Sequence, residues 1–282
     1  MKRHGSSESA FTLVELLAVV GIIAILIGVL LPVLNRVRQQ AQTTACAANL
    51  YQLGQGMTMY TGQYRFFPAA FVAVDKEMAA CWPVRLRKIL GGNQKVFYCP
   101  AQDARCEWKA NAAGAVQFAT EMHTNFGYEI GERLLLSGQG TGNGAWFSYG
   151  LNILGAHAAI GGPTGEDYLI PRGVGAVHYS GGLVAVDNQI GVLRATAVRR
   201  QSEFILMGDA KVDGDRDTEI SPFAGAPDEG FVGDVHRGGA NILFLDGHVQ
   251  WYLRSELTVK YRPIAEEAVK QRMWNADNQP SR

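Results

Sequence analysis

The sequence lacks an excess of charge of either sign. Its 282 residues include 26 basic and 26 acidic side chains, so the formal net charge is zero. Proteins that hold nucleic acid electrostatically carry a basic excess, and the composition therefore argues against nucleic acid as a partner. The chain also lacks an internal repeat, and no Ser or Cys stands in a recognisable nucleophile elbow. We therefore expect one anchor plus one sizeable domain, and we do not expect an enzyme.

Charge is scarcest near the N-terminus. Glu15 is the only charged residue between Phe11 and Leu34. This stretch is long enough to cross a bilayer, which takes about 20 apolar residues. A carboxylate in the hydrocarbon core costs at least ~2.5 kcal/mol, so its presence needs a functional explanation. A cleaved secretory signal does not fit, because no Ala-x-Ala exit follows the apolar run. An uncleaved anchor explains the hydrophobicity but not the order of the residues.

The residues at the start of this stretch carry a resemblance. The string Phe-Thr-Leu-Val-Glu from Phe11 to Glu15 resembles the processing site of type IV prepilins and type II secretion pseudopilins. The resemblance implies that a prepilin peptidase cuts before Phe11 and methylates the new amino terminus. It also implies that Glu15 pairs with the terminal amine of a neighbouring subunit during assembly. Ala10 stands where the family usually has glycine, and we expect cleavage to survive at a lower rate.

The same resemblance implies a function and a location. The chain is expected to be a structural subunit of a pilus or pseudopilus filament, with other copies, other pseudopilins and an inner-membrane assembly platform as partners. It implies a single pass through the bacterial inner membrane, with the head in the periplasm or on an extracellular filament. Basic residues on both sides of the span leave the orientation to the resemblance. The alternative is a single-pass anchored periplasmic domain that binds or catalyses but does not polymerise.

A second motif lies near the C-terminus. His236 is followed by nine residues and then Asp246-Gly247, which resembles the H-X9-DG element of many large pseudopilin-like proteins. Segments 46–50, 98–100 and 148–152 also resemble that group, whereas 101–147 does not. A cluster of His236, Asp246 and His248 could bind zinc or perform acid-base chemistry. We favour a structural role, because Asp246 is explained by a turn.

The hydrophobic pattern predicts an α+β, pilin-like fold. Four apolar residues recur at spacings of three and four after the span and predict a helix face that packs against a head domain: Leu50, Leu53, Met57 and Tyr60. Apolar runs then predict an antiparallel sheet laid on this helix: 183–186, 204–207, 241–245 and 248–253. Asp246-Gly247 predicts a type I′ hairpin turn between the last two runs. The expected organisation is a leader (1–10), a transmembrane assembly helix (11–34), its periplasmic continuation (35–62), a β-rich head (63–264) and a polar tail (265–282).

An acidic loop late in the head is a candidate calcium site. Carboxylates at alternating positions beside a glycine suit a hard cation with six to eight oxygen ligands. The candidate ligands are Asp209, Asp213, Asp215, Asp217 and Glu219. Major pseudopilins are similar in placing a calcium loop late in the head, but the spacing is not that of an EF-hand. A solvated acidic loop is the alternative.

Cysteine is also scarce. The four cysteines follow the span and would lie in an oxidising periplasm: Cys46, Cys81, Cys99 and Cys106. Four cysteines allow three pairings, between which the sequence does not choose. A Cys46–Cys99 disulfide is the first hypothesis, because it would join the helix to the head. Free buried thiols are the alternative.

Overall fold

A computed structural model gives the fold. It describes residues 13–65, 67–68, 71–74, 77–80, 82–108, 119–124, 127–132, 136–137, 147–152, 158–161, 167–170, 195–212, 219–224, 231–260 and 269–274. The α-helices among them are α1 (Leu13–Tyr64), α2 (Trp82–Ile89), α3 (Glu121–Thr124) and α4 (Arg254–Leu257). Short 3-10 helices span Lys95–Phe97, Ala104–Cys106, Ala195–Ala197, Gln201–Glu203 and Val269–Met273. The expected leader, 1–10, lies outside the described residues, as does the predicted strand 183–186.

Twelve β-strands lie in the described part of the chain. They are β1 (Phe71–Val74), β2 (Glu77–Ala80), β3 (Leu136–Ser137), β4 (Tyr149–Asn152), β5 (Ala158–Gly161), β6 (Asp167–Ile170), β7 (Ile205–Asp209), β8 (Glu219–Ile220), β9 (Phe223–Ala224), β10 (Gly239–Phe244), β11 (Val249–Leu253) and β12 (Val259–Lys260). The main sheet has the order β11-β10-β7-β4-β8. Its first four strands are antiparallel neighbours, while β8 runs parallel to β4. The predicted α+β layout is confirmed at this level, with one parallel edge strand that the pattern did not predict.

The chain divides into two compact units, residues 1–41 and 42–282. In the first unit, the described part of α1 is apolar and exposed, and its most apolar window has a mean hydropathy of 3.1 with none of it buried. By length and composition this helix can cross a membrane. Pro32 lies inside it, and the helix continues past the proline.

The second unit contains the rest of α1, and one face of that segment is buried. The predicted stripe of Leu50, Leu53, Met57 and Tyr60 is confirmed, because each of these side chains is at most 4% exposed. They pack in one hydrophobic cluster with residues of the sheet, including Tyr149, Met207 and Leu243. The sheet is therefore laid on this part of α1, as the sequence predicted.

The other face of the main sheet is covered as well. Ile205 and Ile242 belong to a second hydrophobic cluster, together with Leu257 of α4 and Trp274. Trp274 is fully buried, and its indole Nε1 donates to the Leu257 carbonyl at 3.2 Å. The head's core therefore extends to residue 274, beyond the expected boundary at 264.

The hairpin of β10 and β11 is confirmed, but the predicted turn type is wrong. A type I′ turn needs positive φ at both central residues. At the hairpin end only Gly247 has positive φ (95°); Asp246 does not. Gly247 N–H donates to the Phe244 carbonyl at 2.9 Å, so the loop is a tight turn followed by one left-handed glycine. The Asp246 side chain closes it by accepting from the His248 N–H at 3.1 Å.

Candidate functional site

Four side chains from distant parts of the sequence meet in the head. Cys46 lies on α1, Cys99 follows the 3-10 helix Lys95–Phe97, Asp209 ends β7, and His236 precedes β10. One ligand atom from each lies within 4.8 Å of all the others. All four side chains are buried, with His236 the most exposed at 2%. We call these four residues the Cys-Asp-His cluster.

Strand register explains how the head assembles this cluster. Tyr149 of β4 pairs directly with Asp209 of β7. On the other side of β7, Ile242 of β10 pairs with Gly208, which brings Asn241 beside Asp209. Cys46 lies four residues before Leu50, so it continues the buried stripe of α1 by one helical turn. The helix and three neighbouring strands therefore converge on one point.

Asp209 is the hub of the hydrogen bonds. Cys46 Sγ donates to Asp209 Oδ1 at 2.9 Å, and the Asn241 backbone N–H donates to Oδ2 at 2.7 Å. His236 Nε2 lies 3.4 Å from the same Oδ2. A buried carboxylate is costly unless it is paired and hydrogen-bonded. These contacts account for the burial of Asp209.

His236 is held from three sides. Its Nε2 lies 3.2 Å from Cys99 Sγ, and its Nδ1 lies 3.1 Å from Thr43 Oγ1. Trp251 Nε1 donates to the His236 carbonyl at 3.0 Å. His236 and Gly239 exchange backbone hydrogen bonds around Arg237 and Gly238, both of which have positive φ. This tight turn fixes where the imidazole enters the head.

The charges of the cluster follow from these contacts. Burial alone would lower the pKa of His236, but hydrogen bonds to Asp209 and Cys99 raise it to about 10. A hydrogen bond from Cys46 and a second from His236 lower the pKa of Cys99 to about 7, against the effect of burial. Burial raises the pKa of Cys46 well above its usual value, and the nearby Cys99 and Asp209 add to this. The cluster therefore holds a protonated imidazole between two acidic groups.

The geometry does not match a cysteine nucleophile with its general base. In such triads the acid orients the histidine through the ring nitrogen that does not face the nucleophile. Here both Cys99 and Asp209 approach Nε2, while Nδ1 faces Thr43. Cys99 is also fully buried, so a substrate has no access to its sulfur. The arrangement suits a structural network or a small bound ion better than catalysis.

The two ends of the H-X9-DG element lie in different environments. His236 belongs to the buried cluster, whereas Asp246 sits in the exposed hairpin loop, with its Oδ1 2.6 Å from His248 Nδ1. The imagined site of His236, Asp246 and His248 is therefore not assembled. The structural explanation of Asp246-Gly247 as a turn agrees with the loop geometry.

Several other candidate residues remain untested. Ala10, Phe11 and Cys81 lie outside the described residues, as do Asp213, Asp215 and Asp217 of the candidate calcium loop. Glu219 is described only as part of β8, while the Asp209 carboxylate faces the buried cluster. Calcium binding by this loop stays a prediction. Glu15 lies in the first turn of α1, and Cys106 is buried outside the cluster.

Cys46 and Cys99 are close but are not joined. Both are present as thiols in the described structure, and their sulfur atoms lie within 4.8 Å of each other. Their proximity agrees with the reason for proposing this pair, which was to join the helix to the head. The disulfide itself stays a prediction.

Three residues around the cluster were not predicted. Thr43 and Asn241 contact His236 and Asp209, and the Tyr149 hydroxyl donates to Cys46 Sγ at 3.4 Å. Thr43 could have been found, because it extends the stripe of α1 three residues before Cys46. The contribution of Asn241 is its backbone N–H, which no side-chain motif marks.

A separate cavity of about 300 Å³ is lined by residues away from the cluster: Tyr60, Tyr64, Arg85, Lys88, Ile89, Thr124 and Gly127. Its two basic side chains and two phenols make it polar. None of the cluster residues lines it, so it offers no route to Cys99 or His236.

Similarity to known proteins does not extend these assignments. No protein-family model, no curated protein and no solved structure matches the chain.

Proposed function

We propose that the chain is a membrane-inserted structural subunit of a pilus or pseudopilus filament of the type IV pilus and type II secretion kind. The observation that carries the proposal is the division of α1. Its first part exposes large apolar side chains all round, from Leu13 at 79% to Val37 at 59%. Beyond residue 41 only one face of the helix is apolar and buried.

An exposed helix that is apolar all round needs a cover. Lipid provides that cover before assembly, and the corresponding helices of neighbouring subunits provide it in a filament. Polymerisation then transfers the helix between two apolar environments without exposing it to water. The head needs no such cover, because its own core already buries the stripe of α1.

The residues from Ala10 to Glu15 support the polymerising version of this proposal. Their order resembles a prepilin peptidase site, and a simple anchor does not require that order. Cleavage before Phe11 creates a positively charged amine, which is a suitable partner for the Glu15 carboxylate of a neighbouring copy. In this proposal the peptidase, the inner-membrane assembly platform and other pseudopilins are partners, and the head faces the periplasm or the filament surface.

N-terminal processing tests the proposal directly. The chain is expressed in a host with a prepilin peptidase, purified from the membrane, and measured by intact mass. The expected mature chain begins at N-methylated Phe11. Ala10→Gly restores the usual family residue and should be processed at least as fast, whereas Ala10→Leu should leave the leader attached. A mature chain that begins at Met1, or after residue 34, would falsify the proposal and favour the anchored domain or a secretory signal.

A further inference from the structure

We propose that Cys46, Cys99, Asp209 and His236 form a closed zinc site inside the head. The observation is independent of the proposed filament function, since it depends only on residues of the second compact unit. Four donor atoms of the kinds that zinc prefers come together in one buried place. The ligand set is two thiolates, one imidazole nitrogen and one carboxylate oxygen.

The donor types select the metal. Thiolate and imidazole ligands favour zinc over calcium or magnesium, which prefer oxygen. Four protein ligands without an open position are typical of structural zinc sites, whereas catalytic sites keep a position for water. The complete burial of Cys46, Cys99 and Asp209 agrees with a closed site.

The distances fit a tetrahedron that contracts without its ion. Zinc bonds of about 2.0 to 2.3 Å give a tetrahedron with edges of about 3.3 to 3.8 Å. Three edges of the cluster measure 2.9 Å (Cys46 to Asp209), 3.2 Å (Cys99 to His236) and 3.4 Å (His236 to Asp209). Shifts of less than an ångström would therefore admit the ion. Metal binding displaces the protons that now bridge these atoms.

The surrounding residues already orient the ligands as a metal site requires. A metal-bound histidine commonly donates its second ring N–H to an oxygen. Thr43 Oγ1 lies 3.1 Å from His236 Nδ1 and can accept that bond. The Asn241 N–H fixes the Asp209 carboxylate, and the Tyr149 hydroxyl donates toward Cys46 Sγ. Bound zinc would then join α1 to β7 and to the segments that carry Cys99 and His236.

A disulfide between Cys46 and Cys99 is the competing chemistry. It requires an oxidant that removes two electrons while the two thiols lose their protons, and it consumes both sulfur ligands. Zinc binding needs both sulfurs reduced, so the two states exclude each other. The chemical state of the native protein therefore decides between them.

The first test uses the full chain purified from its native membrane in detergent. Zinc content is measured by elemental mass spectrometry, and the thiols are alkylated under denaturing conditions before and after reduction. We expect one zinc per chain, and thiols of Cys46 and Cys99 that react without reduction. A Cys46–Cys99 disulfide in the peptide map would overturn the proposal, and so would a folded, reduced chain without zinc.

The second test uses cobalt as a spectroscopic probe of the same full chain, stripped of metal under reducing conditions. We expect one equivalent of Co²⁺ to give the visible bands of tetrahedral cobalt and a sulfur-to-cobalt charge-transfer band that zinc abolishes. Cys99→Ser should weaken the charge-transfer band, whereas Cys106→Ser, a control at a buried cysteine outside the cluster, should not. Thr43→Val should lower the affinity by about 10- to 100-fold at unchanged stoichiometry. If Cys99→Ser does not fold, the wild-type spectrum still decides, because octahedral cobalt without a charge-transfer band contradicts the site.

Discussion

The two compact units of the chain bury apolar surface in different ways. In residues 42–282 the apolar side chains of α1 fall on one stripe and are covered by the protein's own sheet. In the described part of residues 1–41 they surround the helix, and none is buried. The difference teaches that a single helix can combine a segment that is complete within its own chain with a segment that needs other molecules.

Glycine placement supports this comparison. A Cβ on Gly54 would lie 3.0 Å from Leu243, and one on Gly56 would lie 3.2 Å from Leu90. A Cβ on Gly21 or Gly28, in the exposed segment, would meet nothing within 4 Å. The glycines of the packed segment therefore permit close contact between the helix and the head. Those of the exposed segment leave room for contacts that this chain does not supply.

The largest effect is expected at Glu15, the only acidic residue of the exposed segment. Glu15→Leu should abolish or strongly reduce filament yield, because it removes the proposed partner of the Phe11 amine. Membrane insertion should persist, since the substitution removes a charge that is costly in hydrocarbon. Membrane-fraction abundance and the yield of sheared filaments are compared with those of wild type.

Two further variants separate charge from shape at this position. Glu15→Gln keeps the size but removes the charge, so we expect it to behave like Glu15→Leu. Glu107→Gln, on the exposed surface of the head, is the matched control and should assemble normally. Wild-type filament yield from Glu15→Leu would contradict the salt-bridge mechanism and favour the non-polymerising anchor.

The second prediction compares one leucine from each segment. Leu53 is fully buried, so Leu53→Ala should lower the free energy of unfolding of the head by about 2–5 kcal/mol. Leu30 is 54% exposed, and Leu30→Ala should leave that free energy unchanged. Denaturant unfolding of the full chain in detergent is followed by tryptophan fluorescence, because all five tryptophans lie after residue 80. Equal losses in the two variants would remove the distinction between the segments.

Much of this fold could be predicted where the sequence pattern is local. The stripe of α1 follows from a spacing of three and four, and the β10–β11 hairpin follows from two apolar runs joined by a turn sequence. The turn type could not be predicted, because Asp-Gly also fits a loop in which only the glycine has positive φ. The positive φ of Arg237 has no sequence signal, since a bulky residue rarely adopts it.

The cluster could be predicted only in part, because it depends on long-range register. Cys46, Cys99 and His236 were each identified from the sequence, but in separate roles, and Asp209 was assigned to a calcium loop. Their meeting depends on the pairing of β4, β7 and β10, which places Tyr149, Asp209 and Asn241 side by side. Pairing between strands so far apart in the chain has no local sequence signal.

The third prediction concerns the close contact between helix and head. Gly54→Val should lower the free energy of unfolding by about 1–3 kcal/mol, because its added carbons overlap Leu243. Gly62 lies on the same helix with nothing within 4 Å of its Cβ position. Gly62→Val should therefore be neutral, or stabilising by a few tenths of a kcal/mol, since valine is the better helix former. The same unfolding assay compares both, and a neutral Gly54→Val would mean that the helix packs less closely than described.

The smallest effect contrasts two carboxylates, one from each unit. In the head, Arg87 forms a two-pronged ion pair with Glu132, with Nη2 donating to Oε2 at 2.9 Å. Burial opposes ionisation of Glu132, but the hydrogen bonds from Arg87 and the Glu129 N–H outweigh it and lower its pKa. A lowered folded-state pKa stabilises the head above the unfolded value of about 4.3, and this contribution is lost as pH falls through the folded pKa.

Replacing each carboxylate by its neutral amide reveals this pH dependence. Glu132→Gln should lower the free energy of unfolding by about 1 kcal/mol at pH 7. The difference from wild type should shrink toward zero below about pH 4, because the wild-type carboxyl is then protonated as well. Glu15→Gln should leave the unfolding of the head unchanged at both pH values, since Glu15 belongs to the unit that contributes nothing to that core. A loss that stays constant with pH would assign the role of Glu132 to shape, and any loss from Glu15→Gln would show that the two units share stability.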